Sequence, residues 1–425
     1  MASPLDISRY VALGDSLTAG YADGALYYEA QRNSYANILA GQFKLMGGGN
    51  FNQPFLDPDS VGINQYNRSR LILKKNGSNS KSGDLTLAYL ALQGDTETLL
   101  KNVYASQGPF NNLGVPGAKI ISALIPSYGN PGNGLGNYNP FFARMAADPI
   151  SSSILSDALA LDPTFFSLFM GNNDALTYAL MGGLEDRITP FSGAPGFGFK
   201  ESLESILNAL TANGAKGVIA NIPDVMSVPF FTSIPYNGLF LTGQRAMELN
   251  RIFSAHGVQL SEGQNSFLVS DPYLESGTIR PMKKGELILM DLLLDANRSG
   301  FLSGQLPIPK KYFLLTSEVS SIQHAITEYN RILECAAQER RLAFVNINSL
   351  LKRTKKDRLY NSRASNLQYK KGVFSLDGLH PNPLGHVLLA NEFIRAINQT
   401  YEAKLPLASI DPYKEISFSQ IEHPC

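Results

Sequence analysis

Four short apolar runs, at residues 9–13 (RYVAL), 165–170 (FFSLFM), 217–222 (GVIANI) and 342–347 (LAFVNI), restrict the fold more than any other feature of the chain. Each is too short for an ordinary helix and is apolar on consecutive rather than alternate residues, as strands buried on both faces are. Segments of helical spacing lie between and after them. Tyr35, Ile38, Leu39 and Phe43 mark a helix over 35–45, and further helices are predicted over 202–210, over 317–341 and from about 383 to 400. Strands that alternate with helices join in parallel, so the chain is predicted to be α/β: a three-layer sandwich whose central parallel sheet is covered on both faces.

Three stretches break this alternation, at about 46–107, 225–315 and 351–372, and they are rich in Gly, Asn, Ser and Pro or in basic residues. The economical reading of 425 residues is one domain over 1–425 carrying these three insertions. Charge excludes one class of partner. With 36 basic and 36 acidic residues and no basic block, the electrostatic footprint of a nucleic-acid-binding protein is missing. The uncharged stretch 120–143 is interrupted by Pro126, Pro131 and Pro140, so it does not make a membrane-spanning helix. Cys335 and Cys425 form neither a disulfide framework nor a metal cluster, and no metal or cofactor is predicted.

Chemistry is concentrated at the strand ends. Gly14-Asp15-Ser16-Leu17 follows the first run directly, and a serine at the carboxyl end of a parallel strand stands where α/β sheets bind ligands. Ser16 is thereby a candidate nucleophile, although alone an Asp-Ser pair there also reads as a helix cap. A base is needed, and the chain has five histidines. His324 lies within a helix, His423 in a polar tail, His256 in a loop and His386 among the apolar positions of the last helix. His380 stands apart, just ahead of that helix, with Asp377 three residues upstream. An Asp-x-x-His loop lets the carboxylate hold one ring nitrogen while the other faces a serine; by itself it is also an ordinary turn. Two further segments, 112–118 (NLGVPGA) and 171–174 (GNND), supply glycines for close backbone approach and a side-chain amide, and each also reads as a plain turn.

Taken in order, the four segments resemble the SGNH, or GDSL, hydrolases. Gly14 to Leu17 matches the nucleophile motif, Gly114 falls on the family glycine, Gly171 to Asp174 carries the Gly-x-Asn-Asp motif and Asp377 to His380 the Asp-x-x-His motif. The resemblance implies a flavodoxin-like α/β/α fold and a Ser16–His380–Asp377 triad. It implies an oxyanion hole made by the N–H groups of Ser16 and Gly114 with the Asn173 amide, and no cofactor. The opening residues and the length look like periplasmic or outer-surface members from the Bacteroidetes group, many of them lipoproteins. Residues 1–3 read like a cloning remnant, so a secretion signal, with or without a lipid anchor, is expected to have been removed.

The expected function is hydrolysis of carboxylic esters through an acyl-serine, with acetyl to about butyryl groups preferred and a small-molecule, carbohydrate or lipid ester as partner. Two alternatives stay open: acyl transfer at the same site, and a non-catalytic carbohydrate- or lipid-binding protein on a hydrolase scaffold. The apolar run 285–294 with the loop 297–304 reads as a strand or short helix packed on the core or, functionally, as a roof over the site that limits acyl length.

Overall fold

A computed structural model describes residues 5–75, 85–91, 99–134, 136–184, 187–274, 278–356, 372–414 and 421–422. Its central sheet contains β1 (Tyr10–Gly14), β2 (Asn112–Gly114), β3 (Phe165–Phe169), β4 (Lys216–Ala220) and β5 (Ala343–Val345). The order across the sheet is β5-β4-β3-β1-β2, and every neighbouring pair is parallel. All four apolar runs form strands. The edge strand β2 comes from the segment read as a glycine turn, because three residues ending in glycine carry no periodicity to announce a strand.

Side chains of each strand alternate between two apolar layers. Tyr10, Ala12, Phe165, Phe169 and Val345 face α2 (Tyr35–Leu45) and α6 (Pro383–Tyr401), where Leu39, Phe43, Phe393 and Ile397 meet them. Val11, Leu13, Phe166, Leu168 and Ile219 face the opposite layer, met by Leu203 and Ile206 of α4 (Phe199–Thr211) and by Ile322 and Leu333 of α5 (Thr316–Glu339). The result is the three-layer α/β/α sandwich with flavodoxin-like strand order. Local chemistry sets the helix starts. Ser34 Oγ accepts from the Asn37 N–H at 3.2 Å, and Asn382 Oδ1 accepts from the Gly385 N–H at 3.0 Å with Pro383 in the first turn.

Strand order also positions the site. The chain leaves β1, pairs β2 on one side, then crosses back to place β3 on the other, so the carboxyl ends of β1 and β3 diverge at a topological switch point. There, α1 (Ser16–Ala19) follows β1 and α3 (Asn173–Leu180) follows β3.

The stretch 46–107 includes a hairpin of Leu71–Lys75 with Leu85–Tyr89. Among the described residues of 225–315, three short antiparallel strand pairs surround an apolar cluster that includes Leu239, Leu249, Phe267, Ile288 and Phe301. Most of 351–372 lies outside the described residues, although its first residues extend a helix Ile347–Lys356. Within the run 285–294, Leu287–Ile288 pairs with Phe313–Leu314 and Met290–Leu294 forms a 3-10 turn. The 297–304 loop does not roof the site as expected. Phe301 joins the insertion's own cluster, and Gly304 lies against Leu239 and Leu249.

Candidate active site

Ser16, the half-buried first residue of α1, meets His380 across the switch point: His380 Nε2 lies 2.9 Å from Ser16 Oγ, and His380 Nδ1 lies 2.8 Å from Asp377 Oδ2. Asp377 is held from several directions. Its Oδ1 accepts from Ser375 Oγ and from the Leu379 and His380 N–H groups, and its Oδ2 also accepts from the Gly24 N–H at 2.8 Å. Burial alone would raise this carboxyl, but the adjacent imidazole and the donated hydrogen bonds outweigh it and hold Asp377 at about 2. It is therefore ionised throughout the ordinary pH range and keeps the Nδ1–H tautomer that leaves Nε2 facing Ser16. Tyr21 packs on the His380 ring at 4.8 Å between centroids and donates to Gly24 O at 2.6 Å.

His386 is elsewhere. Its Nδ1 accepts from the Tyr35 N–H at 3.2 Å, and complete burial lowers its pKa to about 3, so it stays neutral as a tie between α6 and α2. His256 and His324 are exposed, and His423 lies outside the described residues.

At the start of α3, Asn173 Nδ2 donates to Ala118 O at 3.0 Å, which uses one of its two amide hydrogens. Asp174 Oδ2 accepts from the Ile120 N–H at 2.7 Å, and the Val115 N–H donates to Gly14 O at 3.0 Å. These bonds pin 115–120 between the ends of β1 and β3. Just before this segment, at the end of β2, the Gly114 expectation fails. The Gly114 N–H already donates to Asn112 Oδ1 at 2.9 Å, and a Cβ on Gly114 would fall 2.2 Å from the Ala19 backbone nitrogen. Gly114 permits close packing of β2 on α1; it does not present a donor to a ligand. Gly117 has the properties required. Its φ is +80°, the Asn139 amide fixes the preceding carbonyl of Pro116 at 2.8 Å, and its N–H has no acceptor among the described residues.

A second group missing from the sequence reading is the 21–24 turn. Asp23 Oδ1 accepts from the Leu376 N–H at 2.7 Å, its Oδ2 accepts from Tyr27 Oη at 2.6 Å, and its own N–H donates to Ser375 Oγ at 2.9 Å. With Gly24 on Asp377, this turn clasps the Asp-His loop from the β1 side. The Asp23-Gly24 dipeptide is a turn signal, but nothing in its spacing points 352 residues downstream. Among the described residues no group of His, Cys, Asp and Glu gathers as metal ligands, and no helix is long and apolar enough to cross a membrane.

Solved structures similar to this chain include an α/β hydrolase from the metagenome of Lake Arreo, at 11% identity and a TM-score of 0.36 over 92% of this chain and 94% of that one. An acetyl xylan esterase from Geobacillus stearothermophilus aligns at 12% identity and 0.35, covering 91% and 93%. An extracellular lipase from Streptomyces rimosus aligns at 11% and 0.35, covering 92% and 98%. No curated protein matches the chain in sequence. The family model of the GDSL-like lipases and acylhydrolases matches residues 10–393, a span that runs from the first residue of β1 into α6 and takes in every group described above. The chain therefore belongs to the GDSL-like lipase/acylhydrolase family and is a serine hydrolase acting on ester bonds.

Proposed function

We propose that this hydrolase cleaves short-acyl carboxylic esters through an acyl intermediate on Ser16. The observation that carries the reading is the continuous hydrogen-bonded line from Ser16 Oγ through both nitrogens of His380 to Asp377. Such a line favours catalysis over a binding-only role, because each member has the partner that its step requires.

Ser16 Oγ attacks the ester carbonyl while His380 Nε2 takes its proton, and Asp377 stabilises the imidazolium without itself being protonated. The carbonyl oxygen, now negative, is met by the N–H groups of Ser16 and Gly117 and by the free amide hydrogen of Asn173. Collapse of this intermediate breaks the C–O bond, and His380 returns the proton to the departing alkoxide. A water then attacks the acyl carbon as His380 takes one of its protons, and as the bond from that carbon to Ser16 Oγ breaks, His380 returns the proton to Oγ and the acid is freed. An acceptor alcohol in place of water would give acyl transfer by the same steps.

The acyl groups proposed are short, acetyl to about butyryl, and a chain-length series of p-nitrophenyl esters tests that half of the reading. Action in the periplasm or at the outer surface accords with this reading, and cell fractionation tests it. The central test is Ser16→Ala, for which kcat on p-nitrophenyl acetate should fall roughly 10⁵- to 10⁶-fold with the fold retained. An organophosphonate should label Ser16. Covalent labelling of another serine, or palmitoyl esters turned over faster than butyryl esters, would overturn the corresponding half of the proposal.

A further inference from the structure

Two sets of bonds bear on the contact between Ser16 and His380, and only one of them is local. Within the Asp-His loop, the Leu379 and His380 N–H groups hold Asp377 Oδ1, and the Ser375 N–H donates to His380 O at 2.8 Å, so the loop keeps its own shape. Those bonds do not place the loop against Ser16, which is 364 residues away in sequence. The 21–24 turn does that.

The turn follows α1 and is tied first to the nucleophile. The Tyr21 N–H donates to Ser16 O at 2.9 Å, and the Gly20 N–H donates to the same oxygen at 3.1 Å. It is then tied to the base. The Asp23 N–H donates to Ser375 Oγ at 2.9 Å, which leaves the single hydroxyl hydrogen of Ser375 for Asp377 Oδ1 at 3.0 Å. The Asp23 carboxylate returns the contact, with Oδ1 accepting from the Leu376 N–H at 2.7 Å. Ser375 and Leu376 are the two residues that lead into Asp377. Asp23 thus grips the loop with a donor and an acceptor at once, and Tyr27 Oη, 2.6 Å from Oδ2, keeps the carboxylate from turning.

The backbone of Asp23 is set for this grip. Its φ is +52°, a left-handed conformation uncommon for a residue with a side chain, and Asp23 is almost completely buried. Strain of that kind persists where the surrounding bonds over-determine it, and it gathers at functional sites. The consequence for catalysis is one of distance. A displacement of about 1 Å between reacting groups costs on the order of 10² in rate, and the Ser16 Oγ to His380 Nε2 contact of 2.9 Å spans two segments that Asp23 joins.

We infer that Asp23 is a positioning residue for ester hydrolysis, which by gripping residues 375–376 sets the register of His380 against Ser16 Oγ. The inference rests on His380 being the base for Ser16. Asp23→Ala removes the acceptor for the Leu376 N–H and should lower kcat on p-nitrophenyl acetate about 10- to 100-fold with little change in KM. Asp23→Asn keeps an oxygen for that N–H and tolerates the same backbone, so its kcat should return to within roughly 3-fold of the wild type. Ser375→Ala, a smaller lesion of the same grip, should lower kcat about 3- to 10-fold and supplies the measurement where Asp23→Ala does not fold. In a His380→Ala background no base is left to register, and neither Asp23→Ala nor Ser375→Ala should lower the residual kcat further. Equal losses in the two backgrounds, full kcat in both Asp23→Ala and Ser375→Ala, or a loss in Asp23→Asn as deep as in Asp23→Ala would overturn the inference. Full activity in His380→Ala itself would instead remove the reading on which it rests.

Discussion

At Gly114 an added Cβ would sit 2.2 Å from the Ala19 nitrogen and 2.6 Å from the Thr18 carbonyl carbon, both backbone atoms that cannot move aside. At Gly117 the nearest atoms would be the ends of two side chains, at 3.4 and 3.9 Å, and the obstacle is the positive φ instead. These glycines therefore answer differently to the same substitution. Gly114→Ala overpacks the β2–α1 contact and should lower Tm, at a cost of about 1–3 kcal/mol or more. Gly117→Ala should fold but shift the N–H proposed to meet the oxyanion, lowering kcat about 10²- to 10³-fold with little change in KM. Paired thermal melts and steady-state kinetics check both, and full kcat in Gly117→Ala would remove Gly117 from the oxyanion hole. The contrast also marks the limit of the sequence. Ser16, Asn173, Asp377 and His380, the residues of the proposed site, could be picked out because each belongs to a short motif at a strand end or helix start. That Gly114 has its N–H engaged was not legible, because the Asn112 side chain turns back on it and spacing does not encode that bond.

Among the elements, the ends of β1 and β3 are joined by a buried polar contact directly beneath the site. Asn172 Nδ2 donates to Asp15 Oδ2 at 2.6 Å, the Leu17 N–H donates to Asp15 Oδ1 at 3.0 Å, and Asn172 Oδ1 has no partner. Burial, only partly offset by these bonds, raises Asp15 from 3.8 to about 6, and burial raises the neighbouring Asp174 to about 7. The folded state holds these protons more tightly than the unfolded chain does, so the two groups favour folding increasingly as pH falls from about 7 towards 4 and oppose it as pH rises. Asp15→Asn removes the Asp15 share. The introduced amide keeps an oxygen for the Leu17 N–H, and its nitrogen can donate to the unpartnered Asn172 Oδ1 once that side chain turns over. The variant should thus gain Tm over the wild type at pH 8 and lose that advantage near pH 4, a difference on the order of 3 kcal/mol at most. Thermal melts at the two pH values decide it; a variant less stable at pH 8 than at pH 4, relative to wild type, would show that Asp15 is ionised without cost. Element positions were largely readable, with the helix expected over 35–45 observed as Tyr35–Leu45, because apolar periodicity is local. The internal order of the insertions was not, since segments dominated by turns carry no period and their packing depends on contacts distant in sequence.

For the molecule as a whole, the open question is whether the 225–315 excursion melts with the sheet or by itself. It has its own apolar cluster, but several ties cross to the sandwich. Leu289, Met290 and Leu314 belong to the main core, and the Phe230 N–H donates to Gly378 O at 2.9 Å. The strongest tie is ionic. Lys310 Nζ lies 2.8 Å from Glu318 Oε2 with both side chains less than a tenth exposed, and it also donates to the carbonyls of Gly182 and Phe313. Glu318 in turn accepts from the Leu315 N–H at 2.8 Å at the start of α5, so one buried pair joins the end of the excursion to a helix of the sandwich and to the turn after α3. Removing Lys310 leaves Glu318 buried and unpaired, a loss of about 3–5 kcal/mol. If the excursion is part of a single cooperative domain, calorimetry should give one transition whose van't Hoff and calorimetric enthalpies agree, and Lys310→Met should lower that whole transition. Two resolved transitions, with Lys310→Met moving only one, would make the excursion a folding unit of its own.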